Sequence, residues 1–221
     1  MAGLTRRTWL AALGLAPLAG AAVAWATGKK SVRAAGPALS PRERMQKAHL
    51  LNVELTTHEG KKVRFYDDLM KDRKVAINFM YANCEGICVP VTTNLVQVQK
   101  MLDGRVGRDI FFYSITLKPE EDTPADLKRY AEMHGVGPGW LFLTGTPEDI
   151  EALRRGLGYS YADPEEDADK TNHIGMVRLG IEPALRWSAT PGMARPQQIH
   201  WTMRQEFDSP SLKGIPIYES R

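Results

Sequence analysis

Val53 and Leu55, then Val63 and Phe65, alternate with polar neighbours on either side of His58-Glu59-Gly60-Lys61. That period of two predicts a β-hairpin. Val75–Met80, Ile110–Leu117 and Trp140–Leu143 are short, nearly uninterrupted apolar runs. Runs of this kind suit strands buried on both faces. Helical patterns fall between them. Pro90 opens a predicted helix through Met101, with Leu95, Val98 and Leu102 as its apolar stripe. Thr123-Pro124-Ala125-Asp126 places an N-cap residue, a proline at N1 and an acid at N3 ahead of Leu127, Tyr130 and Ala131. Thr146-Pro147-Glu148-Asp149 repeats the device before Ile150, Leu153 and Leu157, with Gly158 as the predicted stop. Ile174–Leu179 and Ala184–Ala189 read as a second hairpin around Ile181-Glu182-Pro183, and Pro196–Phe207 as a closing helix carrying Ile199, Met203 and Phe207.

Strands separated by helices need crossover connections and parallel pairing at the centre, while a hairpin after the last crossover adds an antiparallel edge. The predicted fold is therefore α/β: a thioredoxin-like central mixed sheet flanked by helices, with an extra N-terminal hairpin. Residues 49–207 make up this domain. Residues 29–48 contain Pro37, Pro41 and Gly36 without periodicity and read as a linker. Residues 208–221 read as a tail that lies over the surface or frays.

Residues 1–28 carry Arg6-Arg7 followed by an uncharged stretch from Thr8 to Gly28. This is the layout of an export signal. Thr5-Arg6-Arg7-Thr8-Trp9-Leu10 is similar to a twin-arginine motif, and Ala24-Trp25-Ala26 offers a cleavage site. The stretch is also long enough for a retained inner-membrane anchor, so both fates stay open, and either gives a periplasmic location. The formal charge of the 221 residues is +3; of 29 basic residues, 27 remain without Arg6 and Arg7, against 26 acidic ones. No basic footprint for nucleic acid is left. Apolar residues at 43% and charged residues at 25% also exclude a collagen-like, polytopic or wholly disordered chain.

The two cysteines, Cys84 and Cys88, sit where the first central strand is predicted to run into a helix. A helix N-terminus favours thiolate over thiol, and thiolate is both the nucleophile of disulfide exchange and a soft ligand that suits Cu(I). The bland alternative is a stapling disulfide. Closing so small a loop stabilises by only on the order of 2 kcal/mol in the chain-entropy picture. Five histidines are available as a third ligand. His49 and His58 are expected to be solvated, His134 to cap a helix end as a cation, and His200 to lie on a polar helix face. His173 is the candidate, because in a thioredoxin-like fold the loop entering the last hairpin passes over the active cysteines. Met80 and Met176 are expected in the core, and Asp163–Asp169 as a solvated loop. A Ser-His-Asp arrangement, a phosphate loop and clustered carboxylates on one helix are all missing from the sequence, so turnover beyond thiol chemistry is not indicated.

Phe79-Met80-Tyr81-Ala82-Asn83-Cys84-Glu85-Gly86-Ile87-Cys88-Val89-Pro90 resembles the F-x-Y-x-x-C-x-x-x-C-P signature of the Sco (Sco1/SenC) family, with Val89 inserted before the proline. Ser114 to Pro124 is similar to that family's S-x-D-P-x-x-D-T-P stretch, with Lys118 in place of an acid, and Asn172-His173 stands where the family has D-H. The resemblance runs from about Leu51 to Thr190 and implies copper, as Cu(I) or Cu(II), held by Cys84, Cys88 and His173. It further implies a metallochaperone that serves the CuA site of a respiratory enzyme, a cytochrome oxidase subunit or nitrous oxide reductase. A copper donor or a thiol reductant would be the other partner. The alternative function is a thiol–disulfide oxidoreductase with Cys84 and Cys88 as its redox pair, reducing the cysteines of a copper-site partner.

Overall fold

The computed structural model describes residues 38–170 and 174–220; the predicted export segment and His173 lie outside the described residues. Helix α1 (Pro41–His49) leads into a hairpin of β1 (Glu54–Thr57) and β2 (Lys62–Arg64). A π-helical turn, Phe65–Met70, delivers the chain to β3 (Lys74–Met80). Helices and strands then alternate through α2 (Cys88–Met101), β4 (Phe111–Thr116), α3 (Pro124–Met133), β5 (Trp140–Thr144) and α4 (Pro147–Gly156). A short α5 (Pro164–Ala168) precedes the hairpin of β6 (Met176–Ile181) and β7 (Arg186–Pro191), and α6 (Pro196–Phe207) follows.

The seven strands form one sheet in the order β2-β1-β5-β4-β3-β6-β7. The β3–β4 and β4–β5 pairs are parallel, in the registers Val75↔Phe111 and Phe112↔Trp140, and the pairs outside them are antiparallel. All of β4, and all of β3 after Lys74, is buried, which is why these strands are continuous apolar runs. The few polar groups inside are matched to one another. Ser114 donates to Asn78 Oδ1 at 2.7 Å and accepts from the indole N–H of Trp140 at 2.9 Å.

Helix α2 packs on α6, whose Ile199, Met203 and Phe207 are buried, and α1 packs on α4. The predicted caps form: Thr123 accepts from Asp126 N–H and Thr146 from Asp149 N–H. Helix α2 starts two residues before the predicted Pro90, so Cys88 lies in its first turn. Pairing between β3 and β6 stops at Ile77↔Arg178. There the buried Tyr159 hydroxyl donates to Ile77 O at 2.6 Å and accepts from Arg178 N–H at 3.1 Å. Beyond that wedge β3 continues without β6 to the cysteine loop.

One boundary needs correction. The pattern predicts a linker over residues 29–48, but Pro41–His49 form α1. Ser40 and Glu43 make a reciprocal capping box, with Pro41 at N1. No α1 residue is buried, so a search for an apolar stripe finds nothing to mark it. A polar clamp holds the helix instead. Glu182, 1% exposed, accepts from Arg42 Nε at 2.7 Å, Arg42 Nη2 at 2.5 Å, Tyr66 Oη at 2.8 Å and Asp72 N at 2.8 Å. The tail lies along the neighbouring edge of the fold, where Tyr218 N–H donates to Asp72 O at 2.7 Å and Arg73 sits over the Tyr218 and Phe111 rings.

Arg42→Ala would leave the Glu182 carboxylate buried without its countercharge. Breaking a fully buried pair costs about 3–5 kcal/mol, and the 39% exposure of the Arg42 side chain reduces this to about 2 kcal/mol. Urea unfolding should show that loss with the denaturant dependence unchanged; an unaltered midpoint would mean that Glu182 does not hold α1.

Candidate functional site

Strand β3 ends at Met80 and the chain turns through Tyr81-Ala82-Asn83 to Cys84. Two anchors fix that turn. Leu117 N–H donates to Met80 O at 2.7 Å, extending the β3–β4 ladder by one step. Asp122, 2% exposed, accepts from Ala82 N–H at 3.1 Å and from the Thr116 hydroxyl at 2.5 Å. Burial pushes the Asp122 carboxyl above its usual range. Asp122 was not among the predicted site residues. Its signal in the sequence is its place as the acid just before the Thr123-Pro124 cap, in the second of the three resembling motifs.

The residue ahead of α2, Ile87, supplies no side-chain cap, and the first turn of α2 contains no acid. The sulfur of Cys84 takes over the acceptor's part. Burial alone would push its thiol up. Hydrogen bonds from the Cys88 thiol, the backbone N–H groups of Cys88 and Gly86, and the Tyr81 hydroxyl outweigh that and bring it down. Cys88 goes the other way, raised by burial and by the adjoining Cys84 sulfur. The Tyr81 hydroxyl is pushed up to about 12, first by burial and then by its bond to Cys84. The pair is therefore unequal: a thiolate-prone Cys84 and a proton-holding Cys88, unjoined and both buried. Lys118, where the resemblance leads one to expect an acid, stands 4.8 Å from the centre of the Tyr81 ring and pairs with Glu121 at 3.2 Å.

Cys84 and Cys88 are thus brought together. Among the described residues no histidine or carboxylate joins them in a set of three that could hold a metal. His173 lies outside the described residues, but the chain on both sides of it is at the site. Asp169 is near enough for its charge to raise Tyr81. Gly175 presses on the loop between the cysteines: a Cβ there would come within 2.6 Å of Ile87 Cδ1. Met80 is fully buried and Met176 packs partly buried against the core, as expected.

Three bland expectations need correction. His58 is half-buried rather than solvated: its Nδ1 accepts from Phe142 N–H at 3.1 Å, and burial lowers its pKa. His134 does occupy the C-cap of α3, but its ring lies 4.3 Å from that of Tyr130 and burial lowers its pKa, favouring the neutral ring over the expected cation. The Asp163–Asp169 stretch is solvent-exposed as expected except at Asp167, but it forms a short helix rather than a loop. Asp163 caps α5, and buried Asp167 takes two hydrogen bonds of 2.6 Å from buried Arg154, which hold its carboxyl well below the usual range. His49 is exposed and His200 half-buried on α6.

Fold and site together define a thioredoxin-like protein with a C-x-x-x-C dithiol at a strand–helix junction. A family model described as SCO1/SenC matches residues 42–198, and the chain belongs to that family. It is similar to the SCO1 protein homolog of Bacillus subtilis (strain 168), at 33% identity over 117 residues, 52% of this chain and 59% of that protein. The chain spans about half the length of the curated relatives it matches. The structure of Bradyrhizobium japonicum ScoI with copper bound superposes with a TM-score of 0.56 at 24% identity, covering 69% of this chain and 95% of that one. BsSco, a member of the Sco family of cytochrome c oxidase assembly proteins in which a disulfide switch was identified, gives a TM-score of 0.57 at 23% identity, covering 71% and 91%.

Tyr81→Phe removes one donor to the Cys84 thiolate while keeping the ring. Losing a hydrogen bond of about 1 kcal/mol raises the Cys84 midpoint by about 0.7 pH unit. The pH profile of iodoacetamide alkylation in the reduced protein checks this, and a midpoint that stays or falls contradicts it. Asp122→Ala, which strands the Ala82 N–H, should lower stability by about 2 kcal/mol in chemical denaturation.

Proposed function

We propose that this chain is a periplasmic copper metallochaperone, exported by its N-terminal segment, that carries copper as cargo on Cys84, Cys88 and His173. It delivers the metal to, or prepares, the CuA site of a respiratory oxidase. The observation that carries the reading is the unequal dithiol at the head of α2, with Asp169 and Gly175, on either side of the His173 stretch, lying against it. Two thiolates and a neutral imidazole form a soft set of three that suits Cu(I), with a site charge of −1. Copper enters at the ready thiolate of Cys84, and ligation by Cys88 releases its proton, so affinity rises with pH. Membership of the SCO1/SenC family, the copper bound to Bradyrhizobium japonicum ScoI and the oxidase-assembly role of BsSco support the reading.

A second reading, a thiol–disulfide oxidoreductase that reduces the cysteines of a copper-site partner, is favoured by the same inequality. The Cys84 thiolate attacks a partner disulfide and forms a mixed disulfide. Cys88 then attacks Cys84, giving the Cys84–Cys88 disulfide, while the partner leaves with both thiols reduced.

Titration of the reduced protein with Cu(I) against a competing chelator separates the two. The metallochaperone should take up one copper, lose it in Cys84→Ser, and bind at least about tenfold more weakly in His173→Ala with an unchanged circular-dichroism spectrum. Wild-type affinity in His173→Ala, together with an unchanged rate of disulfide reduction, would leave only the oxidoreductase. A reduced wild type that takes up no copper defeats the metallochaperone.

A further inference from the structure

Helix α5 is the last element before the stretch that carries His173, and Asp167 is its only buried residue. A helix of five residues is too short to be stable alone, and without a buried apolar side chain it cannot dock by apolar burial. Its attachment is polar. Arg154 of α4 lays its guanidinium fork on Asp167, Nη1 to Oδ1 and Nη2 to Oδ2, both at 2.6 Å. The same guanidinium donates to Tyr159 O at 2.6 Å and to both Glu151 carboxylate oxygens at 2.8 Å. Asp167 also accepts from Tyr161 N–H at 2.8 Å and from Arg155 Nη2 at 3.1 Å. The Arg154 and Asp167 side chains are 4% and 5% exposed. As a source of stability such a pair is inefficient, whereas as a geometric constraint it is demanding.

The clasp reaches forward along the chain. Lys170, three residues before His173, donates from Nζ to Asp167 O at 3.2 Å and to Glu151 Oε2 at 3.3 Å. On the other side of His173, Ile174 packs against the core and Gly175 O accepts from Gly192 N–H at 2.8 Å. Lys170 and Ile174 line one small hollow with Phe79 and Leu117, beside the ends of β3 and β4 from which the cysteine turn departs. Four Cα–Cα steps join Lys170 to Ile174, about 15 Å of chain at full stretch. A bridge this short samples little space while both its ends are held, and more when one end is released. Ile174 and Gly175 hold one end by packing and a backbone hydrogen bond; Arg154, Asp167 and Lys170 hold the other by charge.

We propose that the Arg154–Asp167 clasp, with Lys170, positions His173 toward Cys84 and Cys88 and so sets how tightly the third ligand closes on copper. Arg154, Asp167 and Lys170 are positioning residues and touch no metal; the inference rests on the reading of His173 as a copper ligand. Its test is a double-mutant cycle on the full reduced chain. Cu(I) affinity is measured against a competing chelator in the wild type, Asp167→Asn, His173→Ala and the double variant. Asp167→Asn should weaken Cu(I) binding about tenfold while His173 is present, and should cause no further loss in the His173→Ala background. The rate of Cys84 alkylation by iodoacetamide should be the same in all four metal-free proteins, because the clasp makes no contact with the dithiol. If Asp167→Asn does not fold, Lys170→Met, at a side chain 31% exposed, takes its place in the cycle, with a smaller loss again confined to the protein that retains His173. Wild-type affinity in the folded clasp variant overturns the inference and leaves the ligand set standing. An equal loss in both backgrounds also overturns it, since that marks a structural role alone. Undiminished affinity in His173→Ala by itself overturns the ligand set, and the inference with it.

Discussion

A sulfur at the open end of a helix organises this molecule's chemistry. Helix α2 begins without a side-chain cap, and the N–H groups of Gly86 and Cys88 turn to Cys84 instead. A neutral thiol is a poor acceptor, whereas a thiolate satisfies these donors and meets the positive end of the helix dipole. The arrangement depends on where β3 stops. Asp122 and Leu117 fix that point by holding Ala82 and Met80. A slip of one residue at the end of β3 would carry Cys84 away from the donors, so the second motif acts on the thiol through the backbone rather than by contact.

One half-buried and one fully buried ion pair do for the periphery what the apolar strands do for the centre. Glu182 with Arg42 holds α1 against the sheet, and Asp167 with Arg154 holds α5 just ahead of the stretch that carries His173. Arg42 and Glu182 are 140 residues apart in sequence, and Arg154 and Asp167 are 13 apart. Such pairs add little net stability over apolar packing, but they are geometrically demanding, and breaking one leaves a charge stranded. They are suited to fixing a segment that has no apolar face of its own.

This division explains what was legible in the sequence. Ile110–Leu117 declares a doubly buried strand because every residue in it faces protein. Thr123 with Asp126 declares a helix start because the cap is local. Cys84 and Cys88 were legible for the same reason, four positions apart at a junction both sides of which could be read. Helix α1 was missed because its attachment runs through Arg42 to Glu182, 140 residues away, and Asp167 was misread because its partner Arg154 lies outside the acidic stretch. His58 and Asp122 belong with them: their partners are backbone amides of another strand or turn, and no periodicity encodes these.

The inequality of the two thiols would also link the two proposed readings, metal carriage and thiol reduction. On the proposed function, oxidation and copper binding would both start at the Cys84 thiolate, and both would need the proton of Cys88 to leave. Burial sets the cost of that second step, since it raises Cys88 while the helix end lowers Cys84. A site with two ready thiolates would hold Cu(I) more tightly but would oxidise more readily at rest. A site with two ordinary thiols would do neither promptly. In the proposed carrier, one ready sulfur and one reluctant sulfur would let an incoming partner's ligand compete for the metal, because re-protonation of Cys88 would offset part of the free energy lost as copper leaves. In the proposed carrier the same proton balance would make release easier as the pH falls.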